Sequence, residues 1–198
     1  MEIKVEVFGV TPLICNKFSD EAALKSTSGT RGSSAAAERK TPEEICQSKL
    51  YIGLDGKPML PQPNVLRNIV QGGQFHKNGK RAITSQRSSM MYSCIDIAGA
   101  EVPIISKGGW SVDTRAVRIP ATGGRILCHR PIFNDWRLRF TINLDVEILS
   151  PVLLRQIVDD AGSRIGLGDF RPETKGPYGR YRIDRWEEIR IPLKTAAE

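Results

Sequence analysis

Histidine is nearly missing from this chain: His76 and His129 are its whole complement. That scarcity leaves little material for imidazole-based proton transfer. The four cysteines, Cys15, Cys46, Cys94 and Cys128, stand far apart, with none of the close C-x2–4-C pairs that zinc sites bring together. No metal or other cofactor is expected, and the four read as ordinary, mostly buried thiols. No apolar run approaches the roughly 18 residues of a membrane span. The net positive charge alone leaves nucleic acid, an anionic membrane and acidic protein open as partners; no membrane is expected among them. A Gly-Lys-Ser/Thr phosphate loop, a dinucleotide fingerprint and a Ser-His-Asp pattern are all lacking, which removes the commonest nucleotide-dependent and hydrolytic classes. The opening Glu2-Ile3-Lys4-Val5-Glu6-Val7-Phe8 alternates polar and apolar residues and does not read as a secretory signal. With scattered thiols, this predicts a cytoplasmic protein.

Acidic residues are missing from one long interval. Nothing between Asp55 and Asp96 is acidic, while Lys57, Arg67, Lys77, Lys80, Arg81 and Arg87 fall within it. From Lys107 to Phe140, seven basic residues face only Asp113 and Asp135. The formal net charge of +7 is therefore concentrated mid-chain. Solvated surfaces mix both signs, so this favours contact with a polyanion over mere solubility. Arginine dominates the second patch, which suits bidentate phosphate contact and stacking. Aromatics are sparse: Trp136 and Phe140 read as core, Tyr92 follows the acid-free interval, and Phe170 and Tyr178 sit in a glycine-rich run.

The 198 residues are expected to form a single domain, with a flexible Ser/Ala/Gly-rich loop at 19–41 and a basic insertion at about 75–130. Alternation predicts a strand over 2–10. Thr41-Pro42-Glu43-Glu44 opens a short helix ending near Ser48, and residues 50–60 form a hairpin turning at Asp55-Gly56. A helix begins at Pro63, with Val65, Leu66, Ile69 and Val70 on its apolar face. Strands follow at Met91–Ile97 and Val102–Ile105, then a hairpin of Val112–Ile119 and Arg125–Arg130, and a strand at Trp136–Val146. Ser150-Pro151 starts the second long helix, and a last strand spans Tyr181–Ile191. The long elements follow a βαββαβ order, so the fold class expected is α+β: a ferredoxin-like (RRM-type) core with large hairpin and loop insertions.

Between the second helix and the last strand lies Gly166-Leu167-Gly168-Asp169-Phe170-Arg171-Pro172-Glu173-Thr174-Lys175-Gly176-Pro177-Tyr178-Gly179-Arg180-Tyr181. Glycines permit positive φ and close backbone approach, and successive N–H groups in such a loop form an anion nest. The competing reading is a long, stiff surface turn. Asp169 and Glu173 are expected to pair with Arg171 and Lys175 to hold the loop's shape.

Three segments together resemble the RAMP superfamily, whose members bind guide RNA in CRISPR effector complexes. Ile3 to Leu13 is similar to that family's first strand and following turn. Met59-Leu60-Pro61-Gln62-Pro63-Asn64-Val65-Leu66-Arg67-Asn68-Ile69 resembles the segment that begins its first helix, although Gln62-Pro63-Asn64 stands where Gly-Ser is usual. Gly166 to Gly179 occupies the place of its glycine-rich loop, with a long interior. The resemblance implies an RNA-binding subunit with guide RNA and copies of itself as partners, and a complementary target strand as a further one; the residues themselves favour binding over catalysis. Asn64, Arg67 and Asn68 would lie on the RNA backbone beside Lys175, Tyr178 and Arg180. The hairpin residues Arg115, Arg118 and Arg125 would clamp it or reach the next subunit, and the charge pattern adds Lys77, Lys80 and Arg81 as RNA contacts. Two alternatives stand: a metal-independent endoribonuclease processing guide RNA, with His76 as candidate base, and a phage single-stranded DNA-binding protein.

Overall fold

The computed structural model describes residues 1–18, 40–118 and 123–189. Almost all of the loop expected at 19–41, the hairpin tip at Thr122 and the tail from Pro192 lie outside them.

Strand β1 (Glu2–Gly9) buries Ile3, Val5 and Val7 and turns Lys4 and Glu6 outward, as its alternation demands. It is the second strand of an antiparallel sheet ordered β11-β1-β10-β7-β3, with β6 also on β10. In chain order these are β3 (Met59–Pro61), β6 (Ile95–Ile97), β7 (Glu101–Ile105), β10 (Arg137–Leu144) and β11 (Tyr181–Ile189). The strands β6 and β7 lie end to end along β10: Ile97 faces Ile142, and Ile104 faces Leu138.

Helix α1 (Pro42–Ser48) begins with a reciprocal capping box, Thr41 Oγ1 accepting from Glu44 N–H and the Glu44 carboxylate accepting from Thr41 N–H. Helix α2 (Gln62–Gly72) and helix α4 (Pro151–Asp160, N-capped by Ser150) cover one face of the sheet. Val65, Ile69, Val70, Leu154, Ile157 and Val158 pack there against Ile3, Val5, Val7, Leu138, Phe140 and Ile142. Full burial of each such side chain contributes about 1.5–3 kcal/mol before entropy is counted. The opposite face carries charge. Glu6 bonds Arg137 and Arg139, Arg137 also bonds Asp184 at 2.5 Å, and Arg185 bonds Glu187. Hydrogen bonding to Arg139 holds the Glu6 carboxyl below its usual range.

A second sheet, ordered β2-β9-β8, is built from β2 (Leu13–Ile14), β8 (Ser111–Arg118) and β9 (Arg125–Phe133). The basic interval 75–130 is thus not one protrusion. Residues 95–105 complete the main sheet, whereas the β8–β9 hairpin and a small ribbon, β4 (Lys77–Asn78) with β5 (Arg81–Ala82), stand outside it. Two local expectations change. Met91–Cys94 forms a short helix, α3, rather than strand, with Met91 and Cys94 buried. The 50–60 hairpin shrinks to an Ile52–Pro58 bridge, its Lys57 carbonyl accepting from Gly53 N–H.

Candidate functional site

A cleft of about 300 Å³ opens between α2 and the glycine-rich loop. From α2 it takes Asn64, Arg67, Asn68 and Gln71, the i, i+3, i+4, i+7 stripe beside the apolar one. From the loop it takes Gly166 to Asp169 and Arg171. The two segments singled out in the sequence therefore meet. Asn64 and Arg67 are exposed, and Arg67 makes no ion pair with any described residue. Cys15 lines the same cleft, but burial pushes its thiol up to about 12, with the Asp169 charge adding to the effect, so it stays protonated and inert.

Asn68 corrects an expectation. Placed on the RNA backbone from sequence, it is 5 % exposed and its amide is used internally. Nδ2 donates to the carbonyls of Ala161 (3.3 Å) and Gly166 (2.8 Å), and Oδ1 accepts from the Tyr181 hydroxyl at 2.6 Å. The side chain ties α2 to the end of α4, to the loop's first residue and to β11. It fixes the cleft wall rather than touching a ligand. Burial raises the Tyr181 hydroxyl well above the ordinary tyrosine range, so it remains a donor.

The anion nest expected of the glycine loop is largely taken up by the fold itself. Several of its N–H groups are committed to backbone carbonyls: Leu167 to Gly179 O, Asp169 to Ile14 O, Gly176 to Arg171 O, Tyr178 to Phe170 O and Gly179 to Pro12 O. The glycines serve close approach between these backbones. At Gly168 (φ +74°) and Gly179 (φ +70°), a Cβ would overlap the carbonyl oxygens of Ile14 and Leu167. Positive potential here comes chiefly from side chains.

The loop also binds the hairpin. Arg130, 6 % exposed, donates to Asp169 at 2.9 Å and lies 3.6 Å from Asp113, while Asn16 also donates to Asp169. Asp169 thus pairs with Arg130 across the molecule, not with a neighbour in its own loop. Glu173 does pair with Arg171. Arg130 Nε is a buried nitrogen without a partner among the described residues. Arg115, held by Asp113 at 2.8 Å, stacks 4.9 Å over the Tyr178 ring. Tyr178 is therefore partly covered, and Arg115 is only partly free. Lys175 and Arg180 are exposed without ion pairs to described residues. Arg118 and Arg125 face each other at the outer end of the hairpin.

Lys77, Lys80 and Arg81 are exposed on the β4–β5 ribbon, which Asn78 ties to the Ile148 carbonyl, and none lines the cleft. His76 bonds Asp160 at 2.9 Å, and Asp160 is also paired with Arg164 at 3.0 Å. The imidazole is oriented, but it too is outside the cleft. Among the described residues no group of three or more His, Cys, Asp or Glu is placed to hold a metal ion. No helix among them is long and apolar enough to cross a membrane.

Beyond Arg67 and Gln71 the cleft continues into a wider groove of about 650 Å³ between α2 and the Thr84–Ser89 loop, reaching Arg87 and Tyr92. No motif in the sequence marks this stretch. Its one sequence signal is the missing acid between Asp55 and Asp96.

The fold has a counterpart. It is similar to a chain in the cryo-EM structure of the Type III-B Cmr-beta bound to cognate target RNA. The TM-score is 0.56 at 12 % identity, over 94 % of this chain and 59 % of that one. This chain thus spans well under two thirds of the length of its counterpart. At that identity the likeness concerns the fold. No family model matches the sequence, and no curated protein matches it.

Proposed function

We propose that this chain binds a single strand of RNA along its sugar–phosphate backbone, as a repeating guide-RNA-binding subunit of a CRISPR-type ribonucleoprotein. The observation that carries this is the groove over α2. Arg67 and Arg87 line it without ion pairs to described residues, whereas Arg137, Arg139 and Arg185 on the sheet's open face are all paired. That open face is dominated by charge pairs, and the aromatic that β1 places on it, Phe8, lies under Arg137 at 6.0 Å, which favours the helical side as the interface. A ferredoxin-like core is supported by the order β11-β1-β10-β6/β7 with α2 and α4 as crossovers. The Cmr-beta counterpart, bound to target RNA, supports assembly with RNA and other subunits. The proposal assigns no bond-breaking step.

The test is anisotropy of a labelled 20-nucleotide RNA over a salt series, with DNA of the same sequence as comparison. Affinity should fall linearly on a log–log plot, each neutralised phosphate contributing a slope of about −0.7, and RNA should bind tighter than DNA. Arg67→Ala should weaken binding and flatten the slope by about 0.7. Binding insensitive to salt, or equal for both nucleic acids, overturns the reading.

A further inference from the structure

We propose that the wider stretch of the groove is a base-stacking subsite built on Tyr92, which takes unpaired bases while Arg67 and Arg87 hold the adjoining phosphates. The inference rests on the RNA-binding reading above and specifies where the bases go.

Tyr92 is 60 % exposed and makes no hydrogen bond or ring contact with any described residue. Yet its backbone is firmly seated, because Met91 and Cys94 on either side of it in α3 are buried in the core. A large ring held on a rigid base and facing a groove is a stacking platform that loses little entropy when a base settles on it.

The loop opposite is equally pre-ordered. Thr84 Oγ1 donates to the Val70 carbonyl at 2.7 Å and lies 2.7 Å from Ser89 Oγ, which accepts from Met91 N–H. Ser85 N–H donates to the Ser88 carbonyl at 2.8 Å, and Met90 N–H to Ile83 O at 3.1 Å. Ile83 is buried beneath. These bonds tie Thr84 to the end of α2 and Ser89 to the first turn of α3, so the loop and the ring move as one body.

The lining chemistry matches a nucleotide rather than a small anion or an apolar peptide. Gln71, Gln74 and Gln86 present amides that both donate and accept, as base edges require. Arg87 adds charge at the loop's tip, and Arg67 stands where this groove meets the narrower cleft. No residue of α2, the loop or α3 is acidic. Glu173, on the far wall, is neutralised by Arg171. Stacking needs an exposed base face, so the subsite selects single strands over duplex, with little preference among bases.

The experiment compares the full chain with Tyr92→Ala, Tyr92→Phe and Arg67→Ala, using the labelled 20-nucleotide RNA over the same salt series. Tyr92→Ala should weaken binding about tenfold or more while leaving the salt slope unchanged, because no charge is removed. Tyr92→Phe should bind as the parent does, since the ring and not the hydroxyl makes the contact. Ultraviolet crosslinking of bound RNA should mark the peptide that holds Tyr92. Parent-like affinity of Tyr92→Ala overturns the subsite alone. If that variant also loses self-association seen in the parent, Tyr92 belongs to a subunit contact and the proposal fails. Failure of the parent itself to bind RNA overturns the underlying reading instead.

Discussion

Replacing Asn68 with alanine removes three hydrogen bonds at once and strands two of their partners inside the protein. The Tyr181 hydroxyl loses its acceptor and the Gly166 carbonyl its donor, while the Ala161 carbonyl keeps the Gly166 N–H. A hydrogen bond contributes about 1 kcal/mol net, and a buried polar group left unpaired costs about 1–3 kcal/mol. A loss of about 3 kcal/mol is therefore expected for Asn68→Ala. Tyr181→Phe removes a single bond and leaves one acceptor, so it should cost about 1 kcal/mol. Because the two side chains share one bond, the double variant should be less destabilised than the sum, by about 1 kcal/mol. Asn68→Asp keeps the shape but aims a carboxylate at two carbonyl oxygens. It should be the worst of the set at neutral pH and recover partly in acid, where the protonated carboxyl can donate. Urea unfolding followed by tryptophan fluorescence suits the measurement, since Trp136 lies edge-on to Tyr181 at 6.4 Å between centroids. RNA affinity should fall with Asn68→Ala through loosening of the Gly166 wall, whereas Arg67→Ala should lower affinity and leave stability unchanged. An Asn68→Ala variant within 0.5 kcal/mol of the parent would refute the linchpin role; that threshold is about half of one net hydrogen bond.

Gly179→Ala combines a left-handed backbone with overlap onto the Leu167 carbonyl and should cost about 3 kcal/mol, lowering the melting temperature by roughly 6–12 °C. Gly79→Ala, at φ +62° but with open space around its Cα, isolates the backbone share and should cost about 1–2 kcal/mol; equal effects of the two would refute the packing account. Stability should also fall at alkaline pH. Cys15 and Tyr181 both have raised folded-state values, so their contributions are complete below the unfolded values and disappear as the unfolded chain begins to ionise, from near 9.0 for Cys15 and 10.0 for Tyr181. Each group then removes up to about 1.4 kcal/mol per pH unit, and the combined Cys15→Ala and Tyr181→Phe variant should flatten that limb in urea titrations between pH 8 and 11. Arg130→Ala leaves Asp113 and Asp169 facing each other without their shared cation and should cost about 2–4 kcal/mol. The unpaired Nε already weighs on the native state, so Arg130→Met should be milder than Arg130→Ala in the same assay.

The main elements were legible because their signals are local. Alternation at Ile3, Val5 and Val7 is a strand whatever else the chain does, and Thr41-Pro42-Glu43-Glu44 carries its own cap. Met91–Cys94 is helix where the sequence reads as the start of a strand, because four residues are too few to show a period; Met91 and Cys94 are buried while Tyr92 and Ser93 between them are exposed. The sheet membership of residues 95–105 was equally hidden, since pairing with β10 is a long-range fact. At the site, Arg67 could be placed from its helical position, but Asn68 looks identical in sequence. One residue of helical rotation separates solvent from a fully used interior amide. The glycine loop gives the sharpest case. Its composition signals close approach between backbones without saying which backbones, and the same glycines serve an anion nest or a self-packed turn. The destination of the N–H groups decides, and here those of Asp169, Gly179, Gly176, Tyr178 and Leu167 go to Ile14, Pro12, Arg171, Phe170 and Gly179. On the proposed RNA-binding reading, phosphate recognition at this cleft rests chiefly on side-chain cations, each of which can be removed singly. That is why the slope of affinity against salt, variant by variant, is the quantity that separates an RNA-binding groove from a stiff turn beside a basic helix.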